Sequence, residues 1–180
     1  MQEKITREEA VQLLQKYAQS KEILDHVYRH SYRVMQMGVD LAMRAAGVDR
    51  DFVATASLLH DIGRFYCPPG SGRGIRHGVE GARILREENL PEHAKVAERH
   101  IGVGITERDI VQQGLPLPRR DYLPRSREQI IVAYADNLDS RGINTEQDVE
   151  ERLCREVGEG YRQRVREFHR QVRQLISRDF

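Results

Sequence analysis

The chain has 180 residues, and its 29 Lys plus Arg against 28 Asp plus Glu leave a formal net charge of +1. That length suits one domain able to bury a core without disulfide staples, and the balanced charge argues against binding nucleic acid or membrane through a broadly basic surface. No apolar run approaches the ~20 residues that span a bilayer. In chain order the pattern is helical almost throughout. Thr6-Arg7-Glu8-Glu9 is a capping box that opens a first helix to about Gln19. A second starts near Ser20, has a potential break before His30, and runs to Ala46, where Gly47 is a good stop. His30, Val34, Met37 and Leu41 are spaced to share one of its faces. Asp49 caps a third helix over about Arg50 to Ile62. Arg64 to Arg76, with Pro68-Pro69-Gly70-Ser71-Gly72, reads as a loop. A fourth helix covers His77 to Glu88, and Pro91 opens a fifth that ends near Gly102. Thr106 caps a short sixth helix stopped by Gly114, and Pro116, Pro118 and Pro124 mark a second long loop. Ser126-Arg127-Glu128-Gln129 is another capping box, for a helix to about Leu138. From Thr145 a final helix is expected to reach about residue 178, with Gly158 and Gly160 as points of interruption. No alternating strand pattern survives, so the expected fold class is all-α, a single bundle of about seven or eight helices.

Two compositional features bear on function. Arg outnumbers Lys by 25 to 4. Codon usage in a GC-rich genome produces such a bias, and so does phosphate recognition, because the guanidinium fork grips two oxygens at once. The last 30 residues hold eight Arg and five acids, but Val165, Phe168, Val172 and Leu175 give them an apolar stripe. That stripe favours a helix packed on the domain over a free partner-binding arm. Met1 to Glu9 lacks a signal-peptide core, and Cys67 and Cys154 are too few for a disulfide framework, so a reducing cytoplasm is the expected location.

The side chains that carry chemistry lie beside apolar faces. His60-Asp61 follows Leu58-Leu59, and a carboxylate there must be solvated, paired or bound to a metal. His30 heads the inward face of its helix, His77 follows the Gly-rich loop, and His100 precedes Gly102 and Gly104. Asp136 sits after the apolar run Ile130-Ile131-Val132-Ala133. Neutral imidazoles and carboxylates suit first-row metals such as iron, manganese, cobalt, nickel or zinc. A GxSxG nucleophile elbow is missing from the sequence.

The order His30, His60-Asp61, Asp136 resembles the HD superfamily of metal-dependent phosphohydrolases, and His60-Asp61-Ile62-Gly63 matches its HDIG variant. His30-Ser31-Tyr32-Arg33-Val34 is similar to the H-x-x-R-V start and Ala135-Asp136 to the A-D end, so the likeness covers about residues 24–141. His77 and His100 add a likeness to the binuclear branch that contains dinucleoside-tetraphosphate hydrolases. The resemblance implies one or two divalent transition-metal ions. His30, His60, Asp61 and Asp136 would hold the first, His77 and His100 the second, with Asp61 bridging. It also implies a small phosphorylated substrate, nucleotide-like, with Asp61 and Arg64 as catalytic residues. Arg64, Arg33, Arg76 and Arg99 are then the candidates for binding phosphate. Arg64 stands where the tetraphosphate hydrolases carry Lys, so the likeness carries the metal site and not a particular substrate. Two other readings suit the same residues: a di-iron oxygenase on this scaffold, and a non-catalytic metal-containing nucleotide-binding module. Neither a membrane nor a nucleic acid is an expected partner, and a homodimer is compatible with the sequence.

Overall fold

The structure, a computed structural model, describes residues 5–139 and 144–176. Among them are nine α-helices: α1 (Arg7–Tyr17), α2 (Lys21–Met43), α3 (Arg50–Leu59), α4 (His77–Glu87), α5 (Pro91–Arg99), α6 (Glu107–Gln113), α7 (Arg127–Asp139), α8 (Glu146–Val157) and α9 (Arg162–Ile176). Short 3-10 turns occupy Ile62–Phe65, Gly74–Arg76 and Glu159–Tyr161. The only β pairing among the described residues is an isolated bridge between Ile105 and Tyr122. The all-α class is as expected, with slightly more helices. The expected limits at residues 141 and 178 lie outside the described residues. No described helix is long and apolar enough to cross a membrane.

Caps are set by local chemistry, and most fall where the sequence places them. Thr6 and Glu9 exchange side-chain and backbone hydrogen bonds, and Thr106 with Asp109 and Thr145 with Asp148 do the same. The Ser126 box is only half formed. Ser126 Oγ accepts the Gln129 N–H at 3.2 Å, but Gln129 Oε1 accepts from the Arg125 backbone at 2.8 Å instead of closing the box. Helix α2 runs through His30 without the expected break. Helix α3 stops at Leu59, three residues before the expected Ile62, and the chain tightens into a 3-10 turn. The last expected helix is two, because Gly158 (φ +121) turns the chain between α8 and α9.

Helix α3 is the centre of the molecule. Every residue from Val53 to Leu59 is buried. On one side lies a core of Val34, Leu41, Val53, Ala56, Ile131, Ala135, Val165, Phe168 and Val172, joining α2, α3, α7 and α9. On the other, Leu13, Leu14, Leu58, Leu59, Ile62, Ile84 and Leu85 join α1, α3 and α4. Each fully buried aliphatic side chain contributes ~1.5–3 kcal/mol. The amphipathic C-terminal stripe is therefore core, as Val165 and Val172 are fully buried.

His93 of α5 lies in this interior. Its Nε2 is 2.9 Å from Thr55 Oγ1, and its ring lies 4.7 Å from that of Phe52. Burial, opposed by the nearby Glu92 charge, lowers its pKa to about 4. The folded state therefore favours the neutral ring. Its contribution is complete above the unfolded pKa of ~6.5 and is lost as pH falls toward about 4. Denaturation midpoints measured between pH 7 and pH 4 are expected to fall more steeply for the wild type than for His93→Gln. The difference in slope should be at most about 1.4 kcal/mol per pH unit. Parallel curves would remove this residue from the account.

Candidate metal centre

Four histidines and two carboxylates from five helices and their ends meet at one place. His60 is the residue after α3, and Asp61 starts the 3-10 turn that follows. His77 is the first residue of α4, and His100 follows α5. His30 comes from the middle of α2 and Asp136 from α7. Two glycines allow this convergence. A Cβ on Gly63 would lie 1.9 Å from the His77 carbonyl oxygen, so the turn carrying Asp61 and the start of α4 touch backbone to backbone. A Cβ on Gly78 would lie 2.8 Å from the Ala97 carbonyl, which lets α4 bring His77 against α5 and His100. The I-G half of His60-Asp61-Ile62-Gly63 is thus a packing requirement of the site.

Asp61 lies between two groups of ligands. Its Oδ2 faces His30 Nε2 at 3.7 Å and His60 Nε2 at 3.9 Å. Its Oδ1 faces His77 Nε2 at 3.2 Å and His100 Nε2 at 3.5 Å. Asp136 Oδ1 completes the first group, 3.0 Å from His30 Nε2 and 3.6 Å from His60 Nε2. His77 and His100 approach each other at 3.0 Å between their Nε2 atoms.

The rings are held by their outer nitrogens. His60 Nδ1 lies 2.6 Å from the Ser57 carbonyl, His77 Nδ1 2.6 Å from that of Gly74, and His100 Nδ1 2.8 Å from that of Ala97. An Nδ1–H donated to a carbonyl leaves Nε2 as the lone-pair atom, aimed inward. His60 Nε2 is buried and has no hydrogen-bond partner. A buried polar atom left in that state calls for a ligand. The triads His30–His60–Asp136 and His60–Asp61–His100 each bring ligand atoms within 4.8 Å of one another. The donor set therefore fits a divalent metal.

The electrostatics favour the ligand forms of Asp61, Asp136 and His77. Burial works against an ionised Asp61, but the surrounding His60, His77 and His100 rings and the Arg64 guanidinium outweigh it and hold the carboxyl well below its usual range. Asp136 is likewise held low, against burial, by His30 and His60. Burial dominates at His77 and pushes it down to about 3, so that ring is neutral. His30 is the exception: burial is overcome by Asp136, Asp61 and Asp139, which raise it to about 9, so a metal would have to displace a proton from this ring. The His30–Asp136 half of the ligand cluster is the more exposed. The His30 and Asp136 side chains are 21% and 19% exposed, whereas those of His77 and His100 are 3% and 2%.

Of the four candidate arginines, Arg64 is at the centre. Its Nε lies 3.3 and 3.4 Å from the two Asp61 oxygens, and its Nη1 donates to the Gly74 carbonyl at 3.3 Å. Arg33 instead grips Asp139, through Nε at 2.8 Å and Nη2 at 3.0 Å. Arg76 donates to the Pro116 carbonyl at 3.2 Å, and Arg99 to Gln129 Oε1 at 3.4 Å. Sequence reasoning missed Asp139, a buried carboxylate one turn beyond Asp136. Its spacing of three from Asp136 was the available signal. Asn137 was missed too: its Nδ2 donates 2.7 Å to the Gly102 carbonyl and ties α7 to the turn after His100.

A family model described as the HD domain matches residues 27–141. An uncharacterized protein of Methanocaldococcus jannaschii is 42% identical over 120 residues, 66% of this chain and 67% of its own length. Two proteins named tRNA (cytidine(56)-2'-O)-methyltransferase are also similar. The Picrophilus torridus protein is 34% identical over 158 residues, and that of Thermoplasma volcanium 39% over 127. These matches take in 86% and 70% of this chain but 44% and 34% of the methyltransferases, so the chain spans less than half of either. Among solved structures, the HD domain of the L. monocytogenes phosphodiesterase PgpH shares the fold, with TM-score 0.53 and 17% identity over 93% of this chain and 95% of that one. Its complex with cyclic-di-AMP gives TM-score 0.55 and 18% identity over 93% of both chains.

Proposed function

The chain belongs to the HD domain family, and from that premise we propose that it is a metal-dependent phosphohydrolase that cleaves a phosphoester or phosphoanhydride of a nucleotide-type substrate. The observation that carries this reading is the division of Asp61, with one oxygen toward His30 and His60 and the other toward His77 and His100. In it, His30, His60, Asp61 and Asp136 would hold one divalent ion, and Asp61, His77 and His100 would hold a second. Bound metal supplies an acidified water nucleophile and Lewis-acid stabilisation of phosphoryl oxygens.

The chain's own residues do the rest. The hydrogen bonds from Nδ1 keep the His60, His77 and His100 rings turned with Nε2 inward. Asp61 and Asp136 stay ionised, and His77 stays neutral. Arg64 is a fixed cation beside Asp61, placed to take charge that develops on phosphate oxygens. The substrate enters on the His30–Asp136 side, the more exposed one. The nucleotide class is supported by the cyclic-di-AMP bound to the related-fold PgpH domain and by the RNA-modifying names of two relatives.

The test is a panel of nucleoside mono-, di- and triphosphates, dinucleoside polyphosphates and cyclic dinucleotides, each assayed with manganese, cobalt, iron(II), nickel or zinc. The expected result is metal-dependent phosphate or nucleotide release from at least one class, abolished by a chelator. Silence across the panel, with two metals bound, contradicts the hydrolase reading.

A further inference from the structure

His60, His77 and His100 are each anchored by a carbonyl three residues upstream. His60 and His100 follow helix C-termini, where main-chain carbonyls are not all used by the i to i+4 ladder, and His77 follows a 3-10 turn whose Gly74 carbonyl it shares with Arg64 Nη1. His30 is different. It lies inside the 23-residue helix α2, where the neighbouring carbonyls are already taken. A ring in that position needs an acceptor from elsewhere in the fold.

Asp139 is that acceptor. Its Oδ2 lies 2.8 Å from His30 Nδ1 across the α2–α7 contact, while Asp136 faces Nε2 on the other edge of the same ring. Arg33, one turn beyond His30, donates to both Asp139 oxygens. The fork fixes the carboxylate's plane and offsets the cost of burying it. Asp139 itself is 2% exposed, so it cannot serve as a solvent-facing ligand or substrate contact.

We propose that Asp139 is the positioning residue for His30, holding Nδ1–H so that Nε2 faces the metal position, and that Arg33 serves Asp139 and not the substrate. The inference rests on the metal-centre reading and adds the part that makes a mid-helix histidine a competent ligand. Such outer partners typically carry about 10–100-fold in metal affinity.

Cobalt(II) binding, followed by its visible absorption, tests this in a His77→Ala background, where the His30 position is the one under study. Asp139→Leu keeps the shape and removes the acceptor, and is expected to weaken binding about 10–100-fold. Asp139→Asn retains one acceptor oxygen, so its loss should be smaller. It also serves if the Leu variant does not fold. Arg33→Ala in the otherwise unchanged protein should weaken cobalt binding and lower kcat with little change in KM. Unchanged cobalt affinity in both Asp139 variants overturns the proposal. So does an Arg33→Ala variant whose KM alone rises, which would make Arg33 a substrate contact. The nitrogen-bound proton spectrum of the histidine rings separates this idea from the metal reading. If the wild-type protein takes up no metal, a His30 Nδ1–H signal lost in Asp139→Leu still supports the pairing, and its persistence in that variant overturns it.

Discussion

Asp61→Asn is expected to abolish turnover, lowering metal-dependent phosphate release by about a thousandfold or more, the scale on which a centrally placed charge acts in a closed site. Asn has nearly the same shape, so the packing against Ile62 and the start of α4 is kept. What is lost is the charge between His30 and His60 on one side and His77 and His100 on the other. Arg64 loses its ionic partner as well. Metal content should fall at both positions, because both draw on this one carboxylate. Far-UV circular dichroism should show retained helix. A variant that keeps both metals and turns over normally would show that Asp61 is not shared.

Gly63→Ala is expected to produce the largest loss of stability among single-methyl changes, about 3 kcal/mol or more. The added Cβ would meet the His77 carbonyl oxygen at 1.9 Å, the His77 carbonyl carbon at 2.8 Å and the Gly81 nitrogen at 2.6 Å. All three are backbone atoms, so no rotamer change relieves the contact. Relief requires the start of α4 to move away, and His77 is its first residue. The same substitution should therefore weaken metal binding at the His77–His100 position. Gly160→Ala is the control, since nothing lies within 4 Å of its added Cβ. Urea denaturation of the two variants makes the comparison. Equal midpoints would mean that the close approach of Gly63 to α4 carries no energy.

The legible part of this molecule was the part written in local chemistry. The box at Thr6 and the helix starts at Thr106 and Thr145 need only residues three apart, and each formed, the last two closed by Asp109 and Asp148. At Ser126 the partner Gln129 had a competing donor, the Arg125 N–H, and took it. The end of α3 was misplaced because Ile62 continues the apolar spacing of the helix. The chain leaves the helix there because Gly63 must meet α4, a contact between segments 14 residues apart that periodicity does not encode.

The site was half visible for the same reason. Ligand types beside apolar faces singled out His30, His60, Asp61, His77, His100 and Asp136, and these six side chains come together. Spacing placed Asp139 one turn from Asp136, but its role was not legible because its partner is 109 residues away, across a helix crossing. Much of the surplus of Arg meets carboxylates: Arg33 pairs with Asp139, Arg86 and Arg120 with the buried Glu98, and Arg162 and Arg166 share Glu150. The guanidinium fork suits carboxylates as well as phosphates. Composition alone cannot say which it will meet.

The central claim is that Asp61 joins two metal positions. The most direct test is the metal content of the purified protein after loading and removal of excess ion, compared with His77→Ala and His100→Ala. Two ions per chain in the wild type, with one lost in either variant, is the predicted result. One ion per chain, unchanged by either substitution, would contradict it.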